Sequence, residues 1–348
     1  MKIGIQPSTI GFTNYWIKYC EEKNIDYSLV DCYRNDIVEQ LSDCDAFMWN
    51  YDLLSIKDNL IAKRLLFALE QSGKVVFPAF EEGWHYDDKI GQKYLLEAIE
   101  APFISTYIFY DEISAKKWVN STSFPKVFKL KGGAGSSNVS LVRSKNEANR
   151  LINIAFSKGF KSLKKSYFLK EKIRKYKLNQ VSLKNLLKSY LRFIIPLDKK
   201  FISHKEKGYI YFQEFVENND CDYRIVVIDQ NKAFGIKRYN RKNDFRASGS
   251  GHIEYLDNNN IPISCLKVAF DTAKKLKMNS IAYDFVYNSK GDPLIIEITF
   301  AFGAKVSKAK GYWDEDLKWN NETIHMQKWM IERVISKIKK SQKHIKGM

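Results

Sequence analysis

One stretch decides the fold of this chain: Ile281-Ala-Tyr-Asp-Phe-Val-Tyr287, then Asn288-Ser-Lys-Gly-Asp-Pro293, then Leu294-Ile-Ile-Glu-Ile-Thr299. Two runs of alternating apolar residues flank a turn-forming segment, which is the pattern of a β-hairpin. If the turn closes symmetrically, Asp284 lies opposite Glu297. Two like charges about 5 Å apart repel each other across a sheet, whereas a divalent cation between them would attract both, and carboxylate oxygens are ligands that suit Mg²⁺. The hairpin therefore predicts a magnesium site.

A second hairpin, of opposite charge, is predicted upstream. Asp222-Tyr-Arg-Ile-Val-Val-Ile228 and Ala233-Phe-Gly-Ile-Lys-Arg-Tyr239 are separated by residues 229–232. A four-residue turn places Arg224 opposite Lys237. Two facing cations need an anion, and a polyphosphate fits that need. The alternative is that the charged pairs of both hairpins are solvated surface charges.

A glycine-rich loop follows a strand that carries alternating lysines. Val127-Phe-Lys-Leu-Lys131 leads into Gly132-Gly-Ala-Gly-Ser-Ser-Asn138, where missing Cβ atoms let backbone N–H groups approach phosphate oxygens. The loop lacks the Gly-Lys-Ser/Thr of a Walker A motif and the helix that a Rossmann fingerprint requires. It is interpreted either as a phosphate clamp or as an ordinary glycine turn.

Length and composition predict a cytoplasmic protein with a substantial core. The chain has 348 residues, enough for two or three domains, and a hydrophobic content of 45% excludes global disorder. No apolar run approaches the roughly 20 residues of a membrane span, and no signal-peptide pattern is present. Five cysteines without a CxxC pair suit a reducing compartment and do not predict a zinc site.

The positive charge is concentrated in one segment. The formal net charge is +17, and residues 157–207 contain sixteen cations and three anions, a net of +13. Three interpretations of this basic insert stay open: a solvated helical surface, a site for an acidic acceptor such as a uronic-acid or phosphate-bearing glycan, and adhesion to an anionic membrane surface.

The order of the elements predicts three domains. Strands and helices alternate over residues 1–100, which indicates a small parallel α/β unit. Residues 101–212 are expected to form a second part that contains the basic insert, with helices predicted at 161–177 and 183–195. Residues 213–348 are expected to form a C-terminal subdomain that carries the metal site and ends in an amphipathic helix over 324–340.

The motifs occur in an order that resembles the ATP-grasp superfamily. That order is the glycine loop, Gln213-Glu-Phe-Val216, Asp222-Tyr-Arg224, Lys237-Arg238, Asn243-Asp-Phe-Arg-Ala-Ser248, Asp284 and Glu297. Within the superfamily, the chain is similar to the carboxylate–amine ligases typified by the ribosomal-protein glutamate ligase and bacterial glutathione synthetase. The resemblance covers residues 85–305. It implies an α/β protein in which a small parallel domain precedes an ATP-grasp fold of α+β character, with residues 101–212 as the lid subdomain and residues 213–348 as the C-terminal subdomain.

The resemblance also implies a set of site residues. Those expected to bind nucleotide are Lys89, Lys129, Lys131, Gly133, Gly135, Ser136, Ser137, Glu214, Phe215, Asp222 and Ser248. Glu214 and Phe215 would present hinge backbone to adenine. The residues implied in catalysis are Arg224 and Lys237, which would face phosphates or the acyl phosphate, and Arg246, which would stabilise the intermediate.

The implied metal ligands are Asp284, Glu297 and Thr299, for two Mg²⁺ ions or for Mn²⁺. Thr299 departs from the family pattern, because it places a hydroxyl where the usual Glu-x-Asn motif has an amide. It shares the strand face of Glu297, so its hydroxyl can ligate directly or through water. Segments 311–319 and 327–330 resemble the tails of ATP-grasp proteins from surface-polysaccharide gene clusters.

The activity implied is ATP-dependent amide formation. A substrate carboxylate would be phosphorylated, and an amine would attack the acyl phosphate, joining an amino acid or amine to a sugar acid or glycan precursor. Such a reaction needs no serine, cysteine or histidine nucleophile, and no triad is evident. The alternatives are an ATP-binding pseudoenzyme or a binding protein without ligase activity, with the insert contacting nucleic acid or, as a peripheral protein, the inner membrane face.

Overall fold

The computed structural model describes residues 1–8, 11–53, 55–133, 138–161, 165–177, 181–194 and 205–346. Within them, the strands in chain order are β1 (Lys2–Ile5), β2 (Asp26–Leu29), β3 (Ala46–Met48), β4 (Val75–Phe77), β5 (Thr106–Phe109), β6 (Lys126–Lys129), β7 (Val139–Val142), β8 (Phe160–Lys161), β9 (Lys205–Glu206), β10 (Ile210–Glu214), β11 (Cys221–Ile228), β12 (Lys232–Tyr239), β13 (Ile253–Tyr255), β14 (Ser280–Tyr287), β15 (Pro293–Thr299), β16 (Tyr312–Asp314) and β17 (Trp319–Asn320). The α-helices are α1 (Thr13–Lys23), α2 (Ile37–Gln40), α3 (Ile56–Gln71), α4 (Phe80–Gly83), α5 (Lys89–Ala98), α6 (Glu112–Ser121), α7 (Lys145–Phe156), α8 (Lys165–Lys177), α9 (Leu183–Ile194), α10 (Ile263–Lys275) and α11 (Met326–Lys346). A 3₁₀ helix spans Ala304–Lys308.

The first sheet is parallel, with strand order β2-β1-β3-β4. Crossover helices connect its strands, as parallel strands require. Helix α3 begins where the Ser55 hydroxyl accepts a hydrogen bond from the backbone N–H of Asp58, which satisfies one of the unpaired amides at a helix N-terminus. The predicted parallel α/β unit is confirmed.

The second sheet is antiparallel, with strand order β5-β10-β6-β7. Its apolar side chains pack with those of α6 and α7 in a separate core that includes Val119, Phe128, Ile152 and Phe212. Strand β10 pairs with both β5 and β6, although the predicted domain limit at residue 213 falls inside it. The domain limits themselves stay a prediction.

The third sheet has two apolar faces with different partners. Strands β15-β14-β11-β12-β16-β17 follow one another, and β13 pairs with β12. Val226, Phe234 and Ala282 belong to the core that the first sheet and α11 share. Ile225 and Tyr283, one residue along each strand, pack in the core formed with α10. Side chains alternate between the two faces along each strand. The register of each hairpin therefore decides which side chains of neighbouring strands lie together on one face.

The terminal helix α11 packs between the first sheet and the third sheet. Its buried residues Met330, Val334 and Ile338 lie in the core of the N-terminal unit. This is the helical spacing that the sequence predicts over 324–340. No helix among the described residues is long and apolar enough to cross a membrane.

Candidate active site

The acidic hairpin has the predicted pairing at its functional positions. Asp284 of β14 lies opposite Glu297 of β15, and Ala282 lies opposite Thr299. The register shifts after Asp284, so that Phe285 pairs with Ile295. The extra residue is Ile296 of β15, which lets Ile295 pack with Phe285 in the core on the α10 side while Glu297 lies opposite Asp284.

Two arginines hold the Asp284 carboxylate. Arg224 Nε donates to Asp284 Oδ1 at 2.7 Å and its Nη2 to Oδ2 at 2.8 Å, and Arg238 Nη2 lies 2.8 Å from Oδ2. Burial raises the pKa of Asp284, but the two guanidinium groups outweigh it and hold that pKa well below its usual range. The side chain is therefore a buried anion.

Arg238 joins this pair to a second aspartate. Its Nε and Nη2 donate to the two carboxylate oxygens of Asp222 at 2.6 and 2.7 Å. Arg224, Asp284, Arg238 and Asp222 thus alternate in sign along one line across β14, β11 and β12. We call these four residues the charge chain. Removing one partner of such a pair lowers the stability of the fold strongly, because the remaining partner is then an unpaired buried charge.

The predicted register of the basic hairpin is wrong by one residue. Arg224 pairs with Ile236, and Lys237 pairs with Tyr223. The strands are joined by three residues rather than four, because Asp229 and Gln230 both adopt a left-handed backbone conformation with φ of 51° and 61°. A slip of one residue moves every side chain to the opposite face.

Lys237 consequently lies on the face away from Asp284. Its ammonium lies 4.7 Å from the ring centroid of Tyr239 and 6.0 Å from that of Tyr223, a cation–π arrangement. Arg238 takes the position on the charged face that the sequence had assigned to Lys237. The predicted catalytic role of Lys237 is therefore withdrawn.

A buried lysine faces Glu297. Lys89, the first residue of α5, places its Nζ 3.1 Å from Glu297 Oε1 and 3.8 Å from Asp87 Oδ1. Burial lowers the pKa of Lys89, but Glu297 and Asp87 outweigh it and raise that pKa above its usual value. The like charges of Asp284 and Glu297 are thus compensated by three protein cations, not left to repel each other.

A second buried lysine lies on the neighbouring sheet. The Lys129 ammonium donates to Gln213 Oε1 at 2.6 Å, from β6 to β10. Burial lowers the pKa of Lys129 to about 8, Glu297 opposes that change, and Lys89 adds to it. Lys129 is therefore a cation near neutral pH whose charge is sensitive to any new anion beside it.

The glycine loop is described at Gly132, Gly133 and Asn138. The Gly133 N–H donates to both carboxylate oxygens of Asp87, at 2.9 and 3.0 Å, and Gly133 has a φ of 128°, which disfavours any side chain. Gly135, Ser136 and Ser137 lie outside the described residues, so their predicted role stays a prediction. The Lys131 N–H donates to the Tyr209 hydroxyl at 2.7 Å.

The loop at 240–251 carries Arg246 and Ser248 toward the same region. Arg246 Nε and Nη2 donate to the Asp244 carboxylate, at 2.9 and 2.6 Å. The Ser248 carbonyl accepts from Arg241, whose Nη1 lies 3.3 Å from Glu171 of α8. Arg174 of α8 also donates to the Gly249 carbonyl. The basic insert is thereby attached to this loop.

A cavity of about 580 Å³ brings these elements together. It is within the size range of small-molecule sites. The predicted site residues that line it are Lys89, Lys129, Gly133, Glu214, Phe215, Asp222, Arg224, Arg246, Ser248, Asp284, Glu297 and Thr299. Of the other predicted residues that the structure describes, Lys131 and Lys237 are not in its lining.

Three solved structures share this architecture. D-alanine–D-alanine ligase from Bacillus anthracis is 14% identical with a TM-score of 0.54, and the alignment covers 99% of each chain. The D-cycloserine synthetase DcsG is 12% identical with a TM-score of 0.56, covering 96% of this chain and 100% of the other. The ATP-grasp ligase PsnB, complexed with minimal precursor, Mg and ADP, is 11% identical with a TM-score of 0.55, covering 97% and 98%.

The chain has the ATP-grasp fold. The predicted fold class is confirmed by these structures. No model of a known protein family matches the sequence, and no curated protein is similar to it at a significant level. The structural similarity therefore extends over nearly the whole chain, whereas the amino-acid identity is low.

The N-terminal unit supplies a wall of the cavity that the sequence reasoning missed. Asn50, Tyr51 and Asp52 line the cavity together with Tyr86, and the first three follow β3 after one residue, Trp49. Side chains beyond the carboxyl ends of parallel strands are where open α/β sheets bind ligands. Applied to the strand predicted at 46–49, that rule would have indicated residues 50–52 as part of the site.

The acidic residues fit a hard cation only in part. Asp284 and Glu297 provide carboxylate oxygens on one face of the hairpin, which is the donor chemistry that Mg²⁺ prefers. The Thr299 hydroxyl donates to the Ala301 carbonyl at 2.8 Å. Among the described residues, no cluster of three or more histidine, cysteine, aspartate or glutamate side chains has the arrangement of a metal site. Two carboxylates suffice where phosphate oxygens complete the ligand set.

Proposed function

We propose that the chain is an ATP-dependent ligase that joins a carboxylate to an amine and releases ADP and phosphate. The observation that carries the proposal is the convergence, on one cavity of an ATP-grasp fold, of cations from three elements with two carboxylates: Lys89, Lys129 and Arg224 beside Asp284 and Glu297. The ATP-grasp ligase PsnB was solved with Mg and ADP. ATP and Mg²⁺ are accordingly the ligands proposed for this cavity.

The cations of the cavity suit the transfer of a phosphoryl group. A carboxylate oxygen of the substrate attacks the γ-phosphorus, the bond from that phosphorus to the bridging oxygen breaks, and ADP leaves. Lys129 and Lys89 bind and orient the phosphates, and Arg224 offers a guanidinium for which phosphate would compete with Asp284. Catalysis of this kind consists mainly of positioning and of neutralising charge.

Amide formation follows in the same cavity. The amine nitrogen forms a bond to the acyl carbon, the bond from that carbon to the phosphate oxygen breaks, phosphate leaves, and the nitrogen loses one proton. Arg246 lies in the lining, where its guanidinium can stabilise the oxyanion of the tetrahedral intermediate. Asp284 and Glu297 would hold Mg²⁺, which when bound neutralises phosphate charge. The number of ions and the use of Mn²⁺ stay predictions.

The substrate class proposed is an amino acid or other amine with a sugar acid or glycan-linked carboxylate, as the sequence leads us to expect. The test is ADP release from a matrix of uronic acids and amino acids, with hydroxylamine as a general acceptor for any acyl phosphate. We expect ADP to form only when a carboxylate is present. When that carboxylate is labelled with ¹⁸O, one labelled oxygen is expected in the released phosphate, because the acyl C–O bond breaks.

The Lys129 ammonium makes nucleotide binding pH-dependent. Its pKa of about 8 means that the protein without nucleotide loses this proton at and above pH 8, and phosphate oxygens beside it would raise the pKa. Binding of ATP above pH 8 is therefore expected to take up a proton, and affinity is expected to fall by up to about tenfold per pH unit there. Calorimetry in two buffers of different ionisation enthalpy measures the uptake.

Lys129→Arg is the matched control for this titration. It keeps a positive charge at all accessible pH values, so proton uptake from this position is expected to disappear while binding persists. An unchanged uptake in Lys129→Arg would assign the proton to another group.

A second candidate function is an ATP-binding protein without ligase activity. It is favoured by the two arginines that occupy Asp284 and by the Thr299 hydroxyl, which is bonded to the Ala301 carbonyl. Such a protein would bind ATP with the same dependence on the Lys129 proton and would form no ADP with any carboxylate and hydroxylamine. The ADP measurement thus separates the two functions.

A further inference from the structure

Helix α9 carries an apolar face that the described part of the chain leaves exposed. Leu183, Leu187, Tyr190 and Leu191 are 53–58% exposed. Their spacing of three and four residues places them along one stripe of a helix. Leu186, at one edge of this stripe, is only half-buried. An exposed stripe of this kind marks a surface that meets something apolar.

The other side of α9 is polar and basic. Lys184 and Lys188 are exposed, and the helix contains no acidic residue. Apolar and polar positions are completely separated around the helix axis, because every apolar residue at 183–191 falls within one half of the helical circumference at 100° per residue. A helix that is exposed to water on all sides does not require such a complete separation of apolar and polar side chains.

The surroundings of α9 determine which partner this face suits. The insert has a net charge of +13, so a second copy of the chain would bring two strongly positive surfaces together. Helix α8 packs against α9 and its one acidic residue, Glu171, is already paired with Arg174 and Arg241. The partner should therefore be negatively charged and apolar at once.

We propose that α9 lies in the plane of an anionic lipid surface, with Leu183, Leu187 and Leu191 among the acyl chains and Lys184 and Lys188 beside the headgroups. Helices with one apolar face and one basic face bind membranes in this way, and each lysine near an anionic surface adds to the attraction. With 12 residues, α9 is roughly 18 Å long, which is enough to lie on a bilayer and too short to cross one.

Other anionic partners would use the cations but not the leucines. An acidic glycan or a nucleic acid is held through phosphate or carboxylate contacts with lysine and arginine, and neither has an apolar layer to receive a stripe of leucine side chains. Substitution of exposed leucines that leaves every charge in place therefore distinguishes a lipid surface from these partners. The test needs no nucleotide and no turnover, so it is independent of the proposed ligase activity.

The experiment uses the full chain and vesicle flotation at low and high salt. Vesicles of phosphatidylcholine with phosphatidylglycerol are compared with vesicles of phosphatidylcholine alone. We expect binding to the anionic vesicles only, with a marked loss in high salt, since surface charge is screened over a Debye length.

Two double variants separate the contributions of the two faces. Leu187→Gln/Leu191→Gln is expected to weaken binding at least tenfold, because only the exposed part of each leucine side chain, 56% and 58%, is left to be buried at the interface. Lys184→Gln/Lys188→Gln is expected to weaken it about fivefold for each lysine. The matched control is Leu60→Gln/Ile113→Gln, which removes two apolar side chains of α3 and α6 that are 61% and 83% exposed, and it should bind like the unmodified chain.

Several results would overturn the proposal. They are no binding to anionic vesicles at low salt, equal binding to both kinds of vesicle, or a leucine variant of unchanged circular dichroism that binds as well as the unmodified chain. Sedimentation velocity covers the remaining case: if the unmodified chain is a dimer that the leucine variant separates, a second copy covers α9 instead. If polyuridylate is bound with no dependence on the leucines while vesicles are not bound, the partner is nucleic acid.

Discussion

Glu297→Gln is expected to lower the rate of ADP release by about a hundredfold, the effect typical of removing one electrostatic contact to a transferring group. The substitution removes a carboxylate that would hold Mg²⁺, and it also removes the anion 3.1 Å from the buried Lys89 ammonium. Because the buried Lys89 ammonium keeps only the more distant Asp87 carboxylate, at 3.8 Å, a loss of stability is expected as well, and it must be separated from the loss of turnover. Turnover and thermal unfolding are measured on the same sample.

The control for this prediction is Glu315→Gln. Glu315 forms an exposed ion pair with Lys274 at 2.6 Å and is not in the lining of the cavity. Its loss should leave ADP release unchanged, because exposed pairs contribute little. A Glu297→Gln variant that turns over at the normal rate would contradict the proposed metal site and favour a different role for the acidic hairpin.

Arg238→Gln is expected to lower the free energy of unfolding by about 3 kcal/mol, as is usual when one partner of a buried ion pair is removed. Arg238 is the central cation of the charge chain, in contact with both Asp222 and Asp284. Its removal leaves Asp222 buried and without its cation. Urea denaturation followed by circular dichroism measures the loss.

Lys237→Gln tests the register of the basic hairpin at the neighbouring position. Lys237 contacts the ring faces of Tyr223 and Tyr239 on the far side of the sheet, so the change should lower the free energy of unfolding by less than about 1 kcal/mol. If Lys237→Gln proves more destabilising than Arg238→Gln, the pairing of Lys237 with Tyr223 is wrong.

The double variant Asp222→Asn/Arg238→Gln is expected to lose less stability than the sum of the losses in the two single variants, since the two groups are coupled.

The elements that sequence periodicity predicts well are the ones that bury apolar faces. The parallel unit, the strands of the two charged hairpins and the terminal helix follow from spacing, because a repeat of two or 3.6 residues specifies which side faces the core. The pairing of Asp284 with Glu297 has the predicted partners, but it depends on the extra residue Ile296 of β15, because the pairs nearer the turn, such as Phe285 with Ile295, are in a different register.

The register of the basic hairpin could not be predicted by the same route. It depends on whether Asp229 and Gln230 adopt left-handed conformations, which residues other than glycine adopt rarely. The consequence for the site is large, since one residue decides whether Lys237 or Arg238 faces Asp284. Contacts between distant segments, such as Lys89 with Glu297 or Gly133 with Asp87, leave no periodic pattern at all and appear only once the sheets are packed together.

The attachment of α8 to the loop at 240–251 has a thermodynamic consequence. Glu171 and Arg174 meet Arg241 and the Gly249 carbonyl, next to the residues that bring Arg246 and Ser248 to the cavity. When two sites bias the same contact, each changes the affinity of the other by an equal factor. We therefore expect a ligand that orders the loop from the cavity to restrain the insert as well. By the same factor, we expect a partner that binds the insert to raise the affinity of the cavity for that ligand.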